Sequence, residues 1–186
     1  SLFFYYNLTM MKLNLPRIIP IFPLSGVIFF PKTSLPLNIF EQRYLTLIND
    51  CIKSNKYMGM IQLKGNTSDV YSVGCLGKIT EYKKLKDGRI LINLTGVCRF
   101  EINSEIVNDK IYREFEVSYK KFLEDQSLDQ KQTTLLMRIK DTLERTKIFF
   151  KKNGLLLNWD EFEKLDESQK INTLAMIAPI SNEEKQ

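Results

Sequence analysis

Between Ile18 and Leu24 the chain is wholly apolar, IIPIFPL, a run of strand length that carries two prolines. Proline donates nothing to a ladder, so Pro23 predicts a strand at a sheet edge or at the start of a sheet. Past the turn at Ser25-Gly26, the run Val27 to Phe30 stops at Pro31, and Ser34 to Ile39 predicts a second proline-marked strand through Pro36. From Phe40 the spacing changes. Phe40, Tyr44, Leu47, Ile48, Cys51 and Ile52 fall on one face of a helical period, with Glu41, Gln42, Arg43, Asn49, Asp50 and Lys53 elsewhere. That pattern is an amphipathic helix ending near Ser54-Asn55, and its apolar face has to cover an open end or a face of the sheet.

The strands resume at Tyr57 to Leu63, and a polar stretch from Lys64 to Tyr71 separates them from Val73 to Tyr82, which carries Gly74 and Gly77. Asp87-Gly88 is a two-residue turn signal, and it joins that strand to Arg89 to Phe100, where Ile90, Ile92 and Leu94 alternate with Leu91 and Asn93. Tyr112 to Phe122 alternates again, with Phe115, Val117 and Tyr119 on one face. Short connections and glycine kinks imply a mostly antiparallel, curled sheet closing into a small β-barrel with one helix, an α+β fold. Phe22, Ile28, Leu37, Phe40, Tyr44, Leu47, Ile92, Leu94 and Phe100 are the expected core.

Near Glu124 to Ser127 the character of the chain changes. Leu128 to Lys152 holds neither glycine nor proline and keeps a helical period up to Asn153-Gly154. Asn158 and Glu161 have capping-box spacing, Ser168 to Ala178 reads as a third helix stopped by Pro179, and Ser181 with Glu184 opens a fourth. The expected division is an aromatic-rich lead over 1–17, a β-barrel domain over 18–123 and a helical subdomain over 124–186, whose last cap implies continuation past Gln186.

Composition narrows the chemistry. The 186 residues are 44% apolar and 26% charged, ordinary for a soluble globular protein. The formal charge of +5 lies in the first part, where residues 1–114 hold 15 Lys and Arg against 9 Asp and Glu. A solvated lysine surface accounts for such an excess, and an anionic partner is the sharper alternative. Cys51, Cys75 and Cys98 stand far apart in no metal-ligand spacing, which fits a reducing cytoplasm. The chain contains no histidine, and this removes the commonest general base, the commonest metal ligand and every Ser-His or Cys-His pair. No cofactor and no metal is expected.

Pro20 to Tyr44, which holds four of the six prolines, resembles the opening of the Lon protease amino-terminal domain family. An LPLFPL-like strand, here Ile19 to Leu24, leads through Gly26 to Val27 to Pro31 and on to Leu35-Pro36-Leu37-Asn38-Ile39-Phe40-Glu41-Gln42-Arg43-Tyr44. Val73-Gly74, Gly77 and Ile79, the Asp87-Gly88-Arg89 turn, Leu94, Gly96, Arg99-Phe100 and Tyr112-Arg113 continue the likeness. Asn38 departs from it, standing where relatives often carry histidine. The resemblance implies a fold of the pseudouridine-synthase-and-archaeosine (PUA-like) superfamily and a recognition part without chemistry of its own. The expected function is binding of unfolded or exposed apolar peptide segments, as an adaptor in proteolysis. The alternative is an RNA-binding module of the same fold.

A complete Lon protease adds a phosphate-cradling loop and a Ser-Lys pair in further domains, so neither ATPase nor peptidase activity is expected. The glycines lack phosphate-loop spacing and suit sheet geometry. Asp160, Glu161, Glu163, Asp166 and Glu167 suit a solvated helix face better than a metal site, and Glu41 with Arg43 reads as a local brace. The candidate peptide-binding edge is Phe22, Pro23, Leu35 and Pro36. Lys83, Lys84, Lys86 and Arg89 flank a hairpin tip beside Tyr82, a candidate anion-binding patch or a lysine-protected strand edge. The lead SLFFYYNLTM has neither a basic segment nor the length to span a bilayer, so no membrane partner is expected. Met10 or Met11 could be the natural start, and Phe3 to Tyr6 are expected to add a strand or fill an apolar groove, in the same molecule or a neighbour.

Overall fold

The computed structural model describes residues 14–24, 28–126 and 159–177. The predicted helices at 128–152 and 181–184, the Asn158 cap and the 1–13 lead with its expected strand addition or self-association lie outside those residues. Six strands are described: β1 (Ile18–Leu24), β2 (Ser34–Ile39), β3 (Tyr57–Gln62), β4 (Val73–Lys84), β5 (Ile90–Ile106) and β6 (Glu114–Ser118). The helices are α1 (Gln42–Lys53), α2 (Trp159–Glu163) and α3 (Glu167–Ile177), with a 3-10 turn at Lys120–Gln126.

The strands run β2-β5-β4-β3-β1-β6, and β5 pairs again with β6. β1, β3, β4, β5 and β6 therefore form a closed ring, and β2 hangs from the first half of β5. All pairings are antiparallel except β1 with β3.

β1 corrects the expectation of an edge strand. It has partners on both sides, but Ile18 to Pro20 pair with β6 while Ile21 to Leu24 pair with β3. The two ladders meet end to end, so each proline faces one partner and its missing N–H falls on the other side. β2 does keep an unpaired side among the described residues.

Closing the ring divides the apolar residues into two cores. Ile19, Ile21, Ile61, Leu76, Cys98, Phe100, Phe115 and Val117 come from all five ring strands and fill its interior. The outer face of the sheet carries Met58, Met60, Cys75, Ile79, Ile90, Ile92 and Leu94, covered by Tyr44, Leu47, Ile48 and Cys51 of α1. α1 thus covers a face, with Leu47 and Ile48 fully enclosed.

The single core expected from the sequence is split because of a bulge. Gly77 pairs with Gly96 but Leu76 pairs with Cys98, so Val97 is an extra residue on β5. A bulge turns the strand over. Ile92 and Leu94 therefore face α1 while Phe100, at the same alternation, points into the ring. Phe40 is a second correction, at 67% exposed. The helix begins only at Gln42, so Phe40 sits in the connection and Ile39, at 2%, takes the buried place. β6 is also shorter than expected, because Tyr112 is held before it by a 2.8 Å hydrogen bond from its hydroxyl to Asp50 Oδ2.

Arg113 ties the ring where β5 meets β6. Its guanidinium donates to Glu105 Oε1 at 2.7 Å, to Glu105 Oε2 at 2.8 Å and to the Ser68 carbonyl at 2.8 Å. These bonds hold the Glu105 carboxyl below its ordinary range. With the folded value depressed, the unfolded chain binds the proton first; the pair's contribution is complete above roughly pH 4.3 and is lost as the pH falls through the folded value. Glu105→Gln is expected to cost under about 1 kcal/mol near neutrality, since the pair is half exposed, and less at about pH 2. Urea melts of both proteins at the two pH values check this.

The described part of the helical segment returns to the sheet. Asn172 of α3 donates to the Pro31 carbonyl at 2.7 Å, and Met176 packs on the α1-covered core. The start of α3 is a reciprocal cap: Gln169 N donates to Asp166 Oδ1 at 2.8 Å and Asp166 N to Gln169 Oε1 at 2.9 Å.

Candidate functional site

The outer sheet face is covered in two parts. α1 takes one. Over the other lies the β1–β2 connection, in which Ile28 and Phe29 are buried and Phe30 half-buried. This segment is placed by β5: Lys32 N donates to the Gly96 carbonyl at 2.9 Å and Gly96 N to the Thr33 carbonyl at 2.8 Å. Thr33 is itself buried and its hydroxyl donates to the Phe30 carbonyl at 2.7 Å.

Between this cover and the sheet is a cavity of about 200 Å³, lined by Phe29, Met60, Gln62, Val73, Arg99 and Phe122 among others. Met60 and Gln62 alternate onto the same face of β3, and Cys75 pairs with both Met60 and Arg99. The walls are mostly apolar, and Gln62 among them has its Oε1 buried away from solvent with no hydrogen-bond partner among the described residues. At the rim, Arg99 lies 4.6 Å over the Phe122 ring. Its Nε and Nη2 donate to Asp125 at 2.9 and 2.7 Å, and its backbone N donates to the same carboxylate. Nη1 takes no part in that pair. The cavity was not singled out from the sequence; its one signal there is a glutamine in the apolar strand YMGMIQL.

The expected peptide edge is not one contiguous edge. Phe22 is a core ring, 4.1 Å from Tyr44 between centroids, and Pro23 is half-buried opposite Ile61. Leu35 and Pro36 lie on β2, with three strands between it and β1 in the sheet order. Leu35 is half-buried against the α1-covered core, whereas Pro36 on the same strand is exposed. β2 runs straight into exposed Phe40.

The hairpin tip forms as its Asp-Gly signal requires, with Gly88 at φ 90°. Lys83, Lys84 and Lys86 are exposed. Arg89 is drawn into the turn, its Nε 2.8 Å and its Nη2 2.7 Å from Asp87 Oδ2, and these bonds hold the Asp87 carboxyl below its usual range. Arg43 likewise pairs with Glu41 at 3.0 Å and lies over the Tyr44 ring, the brace expected of that motif.

Other reactive groups are quiet. All three cysteines are buried and none is in a disulfide; burial pushes the Cys51 thiol up to about 12, with nearby Asp50 adding to it, and Cys75 well above its ordinary value. Among the described residues there is no group of three metal-ligating side chains, and no helix long and apolar enough to cross a membrane.

Comparison with known proteins agrees with this architecture. A family model described as the ATP-dependent protease La (LON) substrate-binding domain matches residues 18–186. The Lon protease of Elusimicrobium minutum is 33% identical over 95 residues, which are 48% of this chain and 11% of that protein. That of Cytophaga hutchinsonii is 26% identical over 137 residues, 70% of this chain and 17% of the relative. The chain thus spans a small fraction of the curated relatives it matches. Among solved structures, a Lon N-terminal domain protein from Xanthomonas campestris superposes with a TM-score of 0.53 at 26% identity, covering 68% of this chain and 73% of that one. The N-terminal domain of a Mycobacterium avium complex Lon protease shares the fold with a TM-score of 0.62 at 14% identity, covering 90% and 87%. The chain belongs to the Lon (ATP-dependent protease La) substrate-binding domain family.

Proposed function

We propose that this domain binds unfolded or exposed apolar peptide segments, performs no chemistry on them, and serves proteolysis as the recognition part or adaptor for a catalytic partner. The observation that carries this reading is the family match over 18–186. Two features of the surface support it. Among the described residues β2 has an unpaired side, which an extended segment could join through main-chain hydrogen bonds, and beyond its end stands Phe40, a large apolar side chain 67% exposed. Leu35 and Pro36 belong to that surface. RNA binding through Lys83, Lys84 and Lys86 is the competing reading, weakened because Arg89 is engaged by Asp87.

The test is a titration with reduced, carboxymethylated α-lactalbumin, its native form, and single-stranded RNA. Saturable binding to the unfolded protein alone is expected. Binding to RNA only, or to neither form of the protein, would overturn the reading.

A further inference from the structure

We propose that Pro36 sets how a segment is held on β2: an extended segment with apolar residues at alternate positions joins the outer edge of that strand through a broken ladder, donating to three carbonyls and receiving from only two N–H groups. This rests on the peptide-recognition reading and names the strand, the bonds and the ligand pattern.

The direction of each main-chain group on β2 follows from its pairing with β5. Gly96 N donates to the Thr33 carbonyl, and the Asn93 carbonyl accepts the Thr80 hydroxyl of β4, so Gly96 faces β2 and Asn93 faces away from it. Bonded and non-bonded positions alternate along an antiparallel pair, and the register from Ser34–Thr95 to Ile39–Ile90 is unbroken. Leu35, Leu37 and Ile39 therefore bond to β5. The main chains of Ser34, Pro36 and Asn38 face the outer edge, where β2 has no partner strand among the described residues. That edge offers three carbonyls but only the N–H groups of Ser34 and Asn38, since proline has none.

The side chains set the pattern of the segment. Leu35 and Leu37 are half-buried against the α1-covered core and form an apolar step at the margin of the sheet, whereas Ser34, Pro36 and Asn38, on the opposite face, are exposed. A strand laid beside β2 places alternate side chains on those two faces, so apolar–polar alternation matches it. A second copy of this chain fits worse, because pairing β2 with itself brings a proline from each copy into one short ladder and withholds two donors.

The unusual consequence is that replacing Pro36 should improve binding. The probes are a short peptide alternating leucine with serine, an isomer with the same residues in two blocks, and reduced, carboxymethylated α-lactalbumin, each titrated into the full chain, Pro36→Ala and Asn38→Pro. The alternating peptide is expected to bind more tightly than its isomer, and to slow hydrogen exchange at the Ser34 and Asn38 amides of the wild type. Pro36→Ala restores one donor and is expected to tighten binding of the alternating peptide about threefold to tenfold; Asn38→Pro removes one and should weaken it by a similar factor, the worth of one hydrogen bond. If Asn38→Pro does not fold, the gain in Pro36→Ala still decides. Equal affinity of the wild type and Pro36→Ala, or of the two isomers, overturns the proposal, and the recognition reading stands as long as unfolded α-lactalbumin binds the wild type. A Pro36→Ala protein that dimerises in sedimentation without gaining affinity gives the edge to a second copy and overturns it as well. Failure of both peptides and of unfolded α-lactalbumin alike removes both readings.

Discussion

Replacing Phe100 with alanine is expected to lower the free energy of unfolding by about 3 to 5 kcal/mol, the range for deleting a large buried ring. Phe100 is fully enclosed in the ring of strands, and two glycines are shaped around it. A Cβ at Gly74 would lie 2.5 Å from Phe100 Cζ, and one at Gly59 would lie 3.0 Å from Cε1. Its neighbours come from paired strands on every side, so they cannot close inward, and the cost should fall toward the upper end. Phe40→Ala is the contrast. With two thirds of that side chain in water, its removal is expected to change stability by no more than about 0.5 kcal/mol. Urea unfolding of the three proteins, compared at constant slope, measures both. A Phe100→Ala loss below about 1.5 kcal/mol would mean that the ring interior is not a closed core.

That contrast marks where the sequence could be read and where it could not. Strand alternation and the switch to a helical period at α1 depend on neighbours a few residues apart, and those elements stand where the pattern places them. The Asp87-Gly88 turn is as local. Burial of particular residues depended on two non-local choices. Phe40 continues the helical stripe on paper, but the chain leaves β2 at Ile39 and needs Phe40 and Glu41 to turn before the helix starts. Phe100 continues the alternation of Ile92 and Leu94, but the extra residue at Val97, opposite Leu76 and Gly77, exchanges the faces. A bulge is a property of two paired strands, and one strand's pattern does not contain it.

The candidate site was legible to a smaller degree. Glycine and proline marked the β1–β2 connection, and the family likeness gave the class of function. The cavity itself is assembled from β3, β4, β5, the connection and the turn after β6, which meet only when the ring closes. The same holds for the hairpin patch: four basic residues stand close in sequence, yet Arg89 spends its charge on the Asp87 carboxylate two positions before it. Asp166 and Gln169, by contrast, have the spacing of a capping box, a local signal that the reading of the sequence passed over in favour of a helix starting at Ser168.

Gly96→Ala is the second large effect, and it joins the fold to the site. A Cβ there would be driven into the Phe30 carbonyl and would lie 3.1 Å from Pro31 Cα. Those are backbone atoms of a turn already fixed to Gly96 by two hydrogen bonds, so no flexible side chain can move aside. The substitution is expected to cost about 1 to 3 kcal/mol, as overpacking does. It should also lift the Phe29–Phe30 segment off the sheet and so enlarge the cavity mouth. Binding of an apolar peptide should then weaken by more than the stability loss alone explains, under conditions where Gly96→Ala is still fully folded. A variant that melts with the wild type would show that the turn yields freely. One that is destabilised but binds reduced, carboxymethylated α-lactalbumin with unchanged affinity would separate the β1–β2 connection from recognition.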